Sequence, residues 1–282
     1  MPTQGDSEKA LLETFKRVSS RYYELLSMGD PEFRCDFLTF TYKTNSTHPI
    51  WASYEEEFTR TIVNQFNEFA SCLYRLHLLE KIIGEYDDSK IQINLRAEFT
   101  HIPLHYALHK PSEISSRVKF SCIHLSHQAN CAVHGDKDEI VNDKKLNFDH
   151  LKRLVSKWPS GAELIVALNS VGNQNPNFVE ATQDFRNKSQ HRLPPSLEMG
   201  LTNRVRRQVV NTDDFLPEIV RQNFGIESNK QVVSYGFGSA PPLKTKDMIP
   251  ILLEQHEALR NLFFRYWDLV QEQDRAISAL ES

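Results

Sequence analysis

The chain has 282 residues, 40% of them apolar and 10% aromatic, enough to fill a substantial core without disulfide or metal staples. A formal net charge of −4 excludes an overall basic coat, so any polyanion site must be a local patch. The polar start MPTQGDSEKA, and the lack of any run near the roughly 20 apolar residues of a membrane span, point to a cytoplasmic chain that is neither secreted nor membrane-spanning.

Helical spacing dominates from the start. Leu11, Phe15, Val18, Tyr22 and Leu25 step by three and four, giving a first amphipathic helix that stops at Met28-Gly29-Asp30-Pro31. The segment FLTFTY, 37–42, is compatible with a short strand. A long helix then opens with a Ser53/Glu56 capping box and carries Tyr54, Phe58, Ile62, Phe66, Phe69, Leu73 and Leu76 before fading near Gly84. Residues 91–100, IQINLRAEFT, alternate as a strand would, and Pro103 and Pro111 punctuate the next stretch.

From Ser112 to about His134 the spacing is helical again, with Ile114, Val118, Cys122, Leu125, Ala129 and Ala132 on one face. Shorter helices are expected over 147–158 and over 160–171, the latter opened by a Ser160/Glu163 capping box and closed by Gly172. Another starts at Asn175-Pro176 and runs until Pro194-Pro195 forbid it. VRRQVV and QVVSYGFG read as two β-segments joined by a long polar connection, and a final helix from about Asp247 carries Leu252, His256, Leu259, Phe263, Tyr266 and Val270. The expected fold is mainly α: a helical bundle with a small β-hairpin or β excursion near residues 200–240. One domain over 1–282 is expected, with N-terminal helices to 90, a helical core over 91–199, the β excursion over 200–245 and the terminal helix from 246. Cys35, Cys72, Cys122 and Cys131 lie singly, without the CxxC spacing of a redox pair or zinc knuckle, and read as reduced thiols.

The sharpest local feature is Asp184-Phe185-Arg186-Asn187-Lys188-Ser189-Gln190-His191-Arg192, late in the helix that begins near Pro176. Arg186, a polar neighbour in Asn187, and His191 five residues on resemble the motif of the HEPN superfamily, whose RNase members carry an arginine, an adjacent polar residue and a histidine four to six residues later. The same spacing recurs at Arg96/His101, and a slightly longer one at Arg117/His124, but only the 186–191 copy has the adjacent asparagine in a capped helix. The resemblance covers at most 112–195. It implies a metal-independent endoribonuclease of toxin or phage-defence type, needing no cofactor and acting by 2′-hydroxyl attack on RNA. His191 would be the acid/base, Arg186 the phosphate clamp and Asn187 a positioning group. It also implies a homodimer meeting near 180–195, and an antitoxin or effector protein as a further partner.

The basic run Lys188, Arg192, Arg204, Arg206 and Arg207 offers the RNA backbone a docking patch; polar helix ends and arginine-blunted strand edges look the same. Two readings compete with the nuclease. One is a non-catalytic helical module that binds a protein or nucleic-acid partner. The other is a metal or small-ligand protein using the helix of His124, His127, Cys131 and His134, although four ligands along three turns cannot reach one ion. Either His124 or His127 is also placed to pack against the 176–191 helix as a second layer of its site. His101, His105 and His109 recur every fourth residue across Pro103 and read as surface or loop residues.

Overall fold

The computed structural model describes residues 4–31, 33, 35–40, 45–46, 48–136, 147–202 and 205–281, leaving aside the side chains of 4–7, 205, 206, 215, 237 and 281. In chain order the elements are α1 (Gln4–Met28), α2 (Pro49–Ile83), α3 (Ser89–Leu95), a π-helical turn (Arg96–Thr100), α4 (His101–His134), α5 (Phe148–Val155) and α6 (Gly161–Asn169). A 3-10 turn (Gly172–Gln174), α7 (Pro176–Ala181), α8 (Phe185–His191), β1 (Val205–Asn211), α9 (Thr212–Phe215), α10 (Glu218–Phe224), β2 (Gln231–Phe237) and α11 (Thr245–Glu281) complete the fold. It is mainly α with one small antiparallel sheet. No described helix is long and apolar enough to cross a membrane.

Three long helices, α2, α4 and α11, pack on one another and supply most of the core. The stripe Ile62, Phe66, Phe69, Leu73 and Leu76 meets Leu104, Leu108, Val118 and Cys122 of α4 and Leu252, Leu259, Phe263 and Tyr266 of α11 in one apolar cluster, which α5 to α8 cap. Each fully buried side chain of this size stabilises by about 1.5–3 kcal/mol. A satellite cluster joins Val18 and Leu25 of α1 to the end of α2 and to Leu95.

That satellite explains a departure from the sequence reading. Residues 91–100 form α3 and the π turn, because Ile91, Leu95 and Phe99, four apart, all dock on α1 and α2 while Ile93 is left exposed. The helical period wins over the alternating one because a single face is covered. Helix α2 likewise begins earlier than the Ser53/Glu56 box: Pro49 occupies the first turn and His48 Nδ1 accepts from the Trp51 N–H at 3.3 Å. Ser160 donates to Glu272 of α11 at 2.6 Å, and Glu163 pairs with Arg265, so their capping box does not form. The nearby carboxylate outcompetes the local bond.

Residues 37–40 of FLTFTY are not a strand; Phe40 instead wedges against Phe263 and Trp267 at 5.3 and 4.5 Å, and Thr41 and Tyr42 lie outside the described residues. Helix α4 starts at His101 and not near Ser112. Pro103 falls in its first turn, where a missing N–H goes unnoticed, and buried Pro111 lies inside it. The β-segments pair as expected, from Val205↔Phe237 to Asn211↔Gln231, with α9 and α10 in the polar connection. Buried Glu198 accepts from the Thr245 N–H at 2.9 Å and from Thr100 at 3.1 Å, holding the start of α11 beside α4.

Candidate functional site

One face of α4 carries His105, His109, Ser112, Ser116 and Lys119 at steps of four, three, four and three. The 3-10 turn is pressed against that face at Ser112. Gly172 makes this possible, because a Cβ there would lie 2.5 Å from Ser112 Oγ and 2.7 Å from its Cα. Ser112 Oγ donates to Asn173 Oδ1 at 2.9 Å and accepts from the Asn173 N–H at 3.0 Å. Asn173 Nδ2 passes the contact on to Asn187 Oδ1 at 2.9 Å, and Asn187 Nδ2 donates to Asp184 Oδ1 at 2.7 Å. Asn187 thus ties the first turn of α8 to α4.

The expected continuous helix from Pro176 is broken. Asn175 caps α7 as expected, its Oδ1 accepting from the Phe178 N–H at 3.1 Å, but Gln183 and Asp184 adopt φ of 54° and 58° before α8 restarts. Left-handed conformations disfavour residues with a Cβ by roughly 1–2 kcal/mol each. Here the Asn187–Asp184 bond and the Lys188 Nζ donation to Gln183 O at 2.6 Å offset part of that. The turn re-aims α8 so that Phe185 points inward and Arg186 lines a cavity shared with Lys119.

Phe185, 1% exposed, packs edge-on against both His105 and His109, each ring centroid 5.4 Å away. These two histidines therefore lie on a helix face beside α8 and not in a loop; His105 is a surface residue, as expected, and His109 is half-buried. Ser189 Oγ donates to the Arg186 carbonyl at 2.8 Å, so its 3.1 Å contact with His109 Nε2 has the ring N–H as donor. In the neutral ring that leaves the lone pair on Nδ1. Burial, the His105 ring and the Arg186 guanidinium hold the His109 imidazole below its usual pKa, against the pull of Glu113. Burial, then His101, lowers His105, and burial lowers His256 in the core against Glu257.

The unfolded chain protonates these three rings more readily than the folded one. Their stability contribution is complete above about pH 6.5 and is lost as pH falls from there toward the lower folded values. The urea midpoint is expected to drop between pH 7.5 and 5.5, and His109→Gln is expected to flatten that dependence. Identical slopes for wild type and variant would contradict it.

Arg186 lines a cavity of about 230 Å³ together with Lys119, Ser112, Ser115, Ser116 and Asn173. Among the described residues no carboxylate lines it, and neither the Arg186 nor the Lys119 side chain has an ion-pair or hydrogen-bond partner. Two cationic residues in one lining give the cavity a positive potential.

The other candidates from the sequence lie elsewhere. His191 is exposed at the end of α8, five residues beyond Arg186 and so about 140° round the helix, and it is not part of the cavity wall. Arg192 and Arg207 are exposed, whereas the Lys188 ammonium is held by the Gln183 carbonyl. Arg204 and the Arg206 side chain lie outside the described residues. The His124 ring lies tilted against Phe120, centroids 4.3 Å apart, and His127 contacts Cys131 at 4.0 Å; the histidines that pack on the 176–191 segment are His105 and His109 instead. Among the described residues no three His, Cys, Asp or Glu side chains are grouped to hold a metal. Burial pushes the Cys35 and Cys72 thiols up to about 12, and Cys122 higher still, which suits packing and not nucleophilic chemistry.

Lys119, Ser115, Asn173 and His109 do not stand out in the sequence as partners of Arg186. For His109 and Lys119 the signal is the stripe of three- and four-residue steps from His105 to Lys119, visible once α4 is allowed to run through Pro111; Ser115 and Asn173 carry none. Comparison with known protein families, with characterised proteins and with solved structures finds no match to this chain.

Proposed function

We propose that this protein binds RNA through its phosphates at the Arg186–Lys119 cavity and cleaves it without a metal, as the HEPN resemblance implies. The observation that carries the reading is Arg186, which lines with Lys119 a cavity that has no acid among its described lining residues. An arginine in that setting is a permanent two-pronged donor for a phosphate, and Asn187 holds its helix in place through Asn173.

In the cleavage step the ribose 2′-oxygen bonds to phosphorus while the P–O5′ bond breaks, leaving a 2′,3′-cyclic phosphate and a 5′-hydroxyl. A base takes the 2′ proton and an acid returns one to the 5′ oxygen. His191 supplies this chemistry from its exposed position at the end of α8, in a homodimer where each copy's His191 acts on a phosphodiester of the strand that its partner's cavity holds by another phosphate. Arg192 and Arg207, both exposed, extend the track for the strand. The setting is a cytoplasmic toxin or defence protein held in check by an antitoxin or effector.

Incubating the protein with total RNA in EDTA tests this. Wild type is expected to cleave, with Arg186→Ala at least ~100-fold slower, the usual scale for losing one charge-stabilising donor, and His191→Ala equally impaired. Equal cleavage by all three proteins would sink it. A second reading, a non-catalytic RNA- or protein-binding module, is favoured by the position of His191 outside its own chain's cavity; binding by wild type without cleavage identifies it.

A further inference from the structure

We infer that the cavity between α4 and α8 is a receptor for a terminal phosphate: a phosphomonoester with its attached sugar, from a nucleoside monophosphate or the phosphorylated end of an RNA strand. This deepens the RNA reading by specifying which phosphate is held, and it rests on the cavity alone, independent of cleavage.

Charge is the first ground. Arg186 and Lys119 bring two positive charges with no carboxylate among the described lining residues, which matches a monoester carrying about −1.5 to −2 at pH 7 better than the single charge of an internal phosphodiester. Lys152, its ammonium 5.0 Å from the centre of the Phe148 ring, adds a third cation next to the wall.

Hydrogen-bonding capacity is the second. Ser112 Oγ spends its proton on Asn173, and Ser116 Oγ donates to the Ser112 carbonyl at 2.7 Å. Ser115 differs: it is only 8% exposed, lines the cavity, and has no hydrogen-bond partner among the described residues. Its hydroxyl is open to the cavity and free to donate to a phosphate oxygen. The donors left for a ligand are thus the guanidinium, the ammonium, the Ser115 hydroxyl and the Gln174 side-chain amide N–H, three of them without an acceptor role to compete with a phosphate.

Size and shape are the third. About 230 Å³ falls below the roughly 300–1,000 Å³ typical of sites that engulf a whole small molecule, so the cavity takes a phosphate and its sugar and leaves the rest outside. Its walls come from α4, α5, α6, the 3-10 turn and α8, and its apolar part is Phe148, Leu168 and Val171. Such a cavity admits a chain end more readily than a strand passing through.

Binding to the full-length chain decides the matter, using AMP, adenosine, and one RNA octamer with either a 5′-phosphate, a 3′-phosphate or none. AMP is expected to bind and adenosine at least tenfold more weakly. A terminal phosphate is expected to tighten the octamer at least tenfold, with Lys119→Gln and Ser115→Ala closing that gap while circular dichroism stays unchanged. AMP binding without RNA binding upholds the terminal-phosphate site with the free nucleotide as its source, and removes the RNA reading. If octamers bind or are cleaved alike with and without the phosphate and AMP does not bind, this inference is overturned while the RNA reading stands. An AMP affinity unchanged in both variants also overturns it.

Discussion

Replacing Gly172 with valine is expected to cost at least ~3 kcal/mol in stability and to abolish the cavity, making it among the most damaging single changes available. Two effects coincide there. Its φ of +56° is a left-handed conformation that penalises any Cβ by roughly 1–2 kcal/mol. A Cβ would also sit 2.7–2.8 Å from the Ser112 Cα and N, backbone of α4 that cannot swing aside, and the shift would strain the Gly172 N–H bond to Gln255 Oε1, now 2.7 Å. Gly135→Ala isolates the first effect, since its φ is +66° with nothing within 4 Å of the added carbon, and about 1 kcal/mol is expected. Urea unfolding of the two variants side by side checks this; a Gly172→Val protein no less stable than Gly135→Ala would show that the 3-10 turn is not wedged against α4.

Phe185→Ala is expected to cost about 3–5 kcal/mol, the range for truncating a fully buried aromatic side chain. The consequence for the site matters more than the number. Phe185 pins α8 to His105 and His109, so its loss lets α8 lift and carries Arg186 away from Lys119. The His109 imidazole, no longer buried against the ring or close to the guanidinium, is expected to recover a pKa near 6.5. Proton NMR of the histidine ring, alongside denaturation, separates a local detachment of α8 from general loosening. An unmoved His109 titration in a folded variant would contradict the packing described here.

The helical body is legible in the sequence because its signals are local and periodic. The stripe from Ile62 to Leu76, the Asn175-Pro176 cap and the two β-segments each lie within one stretch of chain, and each forms. Sequence and structure part where a distant partner decides the outcome. Ile91, Leu95 and Phe99 alternate as well as they repeat by four, and only α1 and α2 choose between the periods. Pro103 and Pro111 read as breaks although one lies in a first turn and the other is absorbed by packing.

The site is legible as one residue and not as a place. Arg186 stands out by its neighbours in sequence, but its neighbours in space, Lys119, Ser115 and Asn173, are brought together by tertiary packing. The break at Gln183-Asp184, which decides where Arg186 and His191 point, contains no glycine or proline to announce it. Side-chain bonds from Asn187 and Lys188 sustain it, and these become visible only with coordinates.

The pairing of Arg186 and Lys119 as one phosphate site is tested most directly by the salt dependence of binding to a 5′-phosphorylated RNA octamer. Each phosphate-neutralising cation contributes about 0.7 to the slope of log affinity against log salt for single strands. Arg186→Gln and Lys119→Gln are each expected to flatten that slope by about 0.7. Slopes unchanged from wild type in both variants, with the fold intact, would place the phosphates elsewhere and remove this cavity from the protein's function.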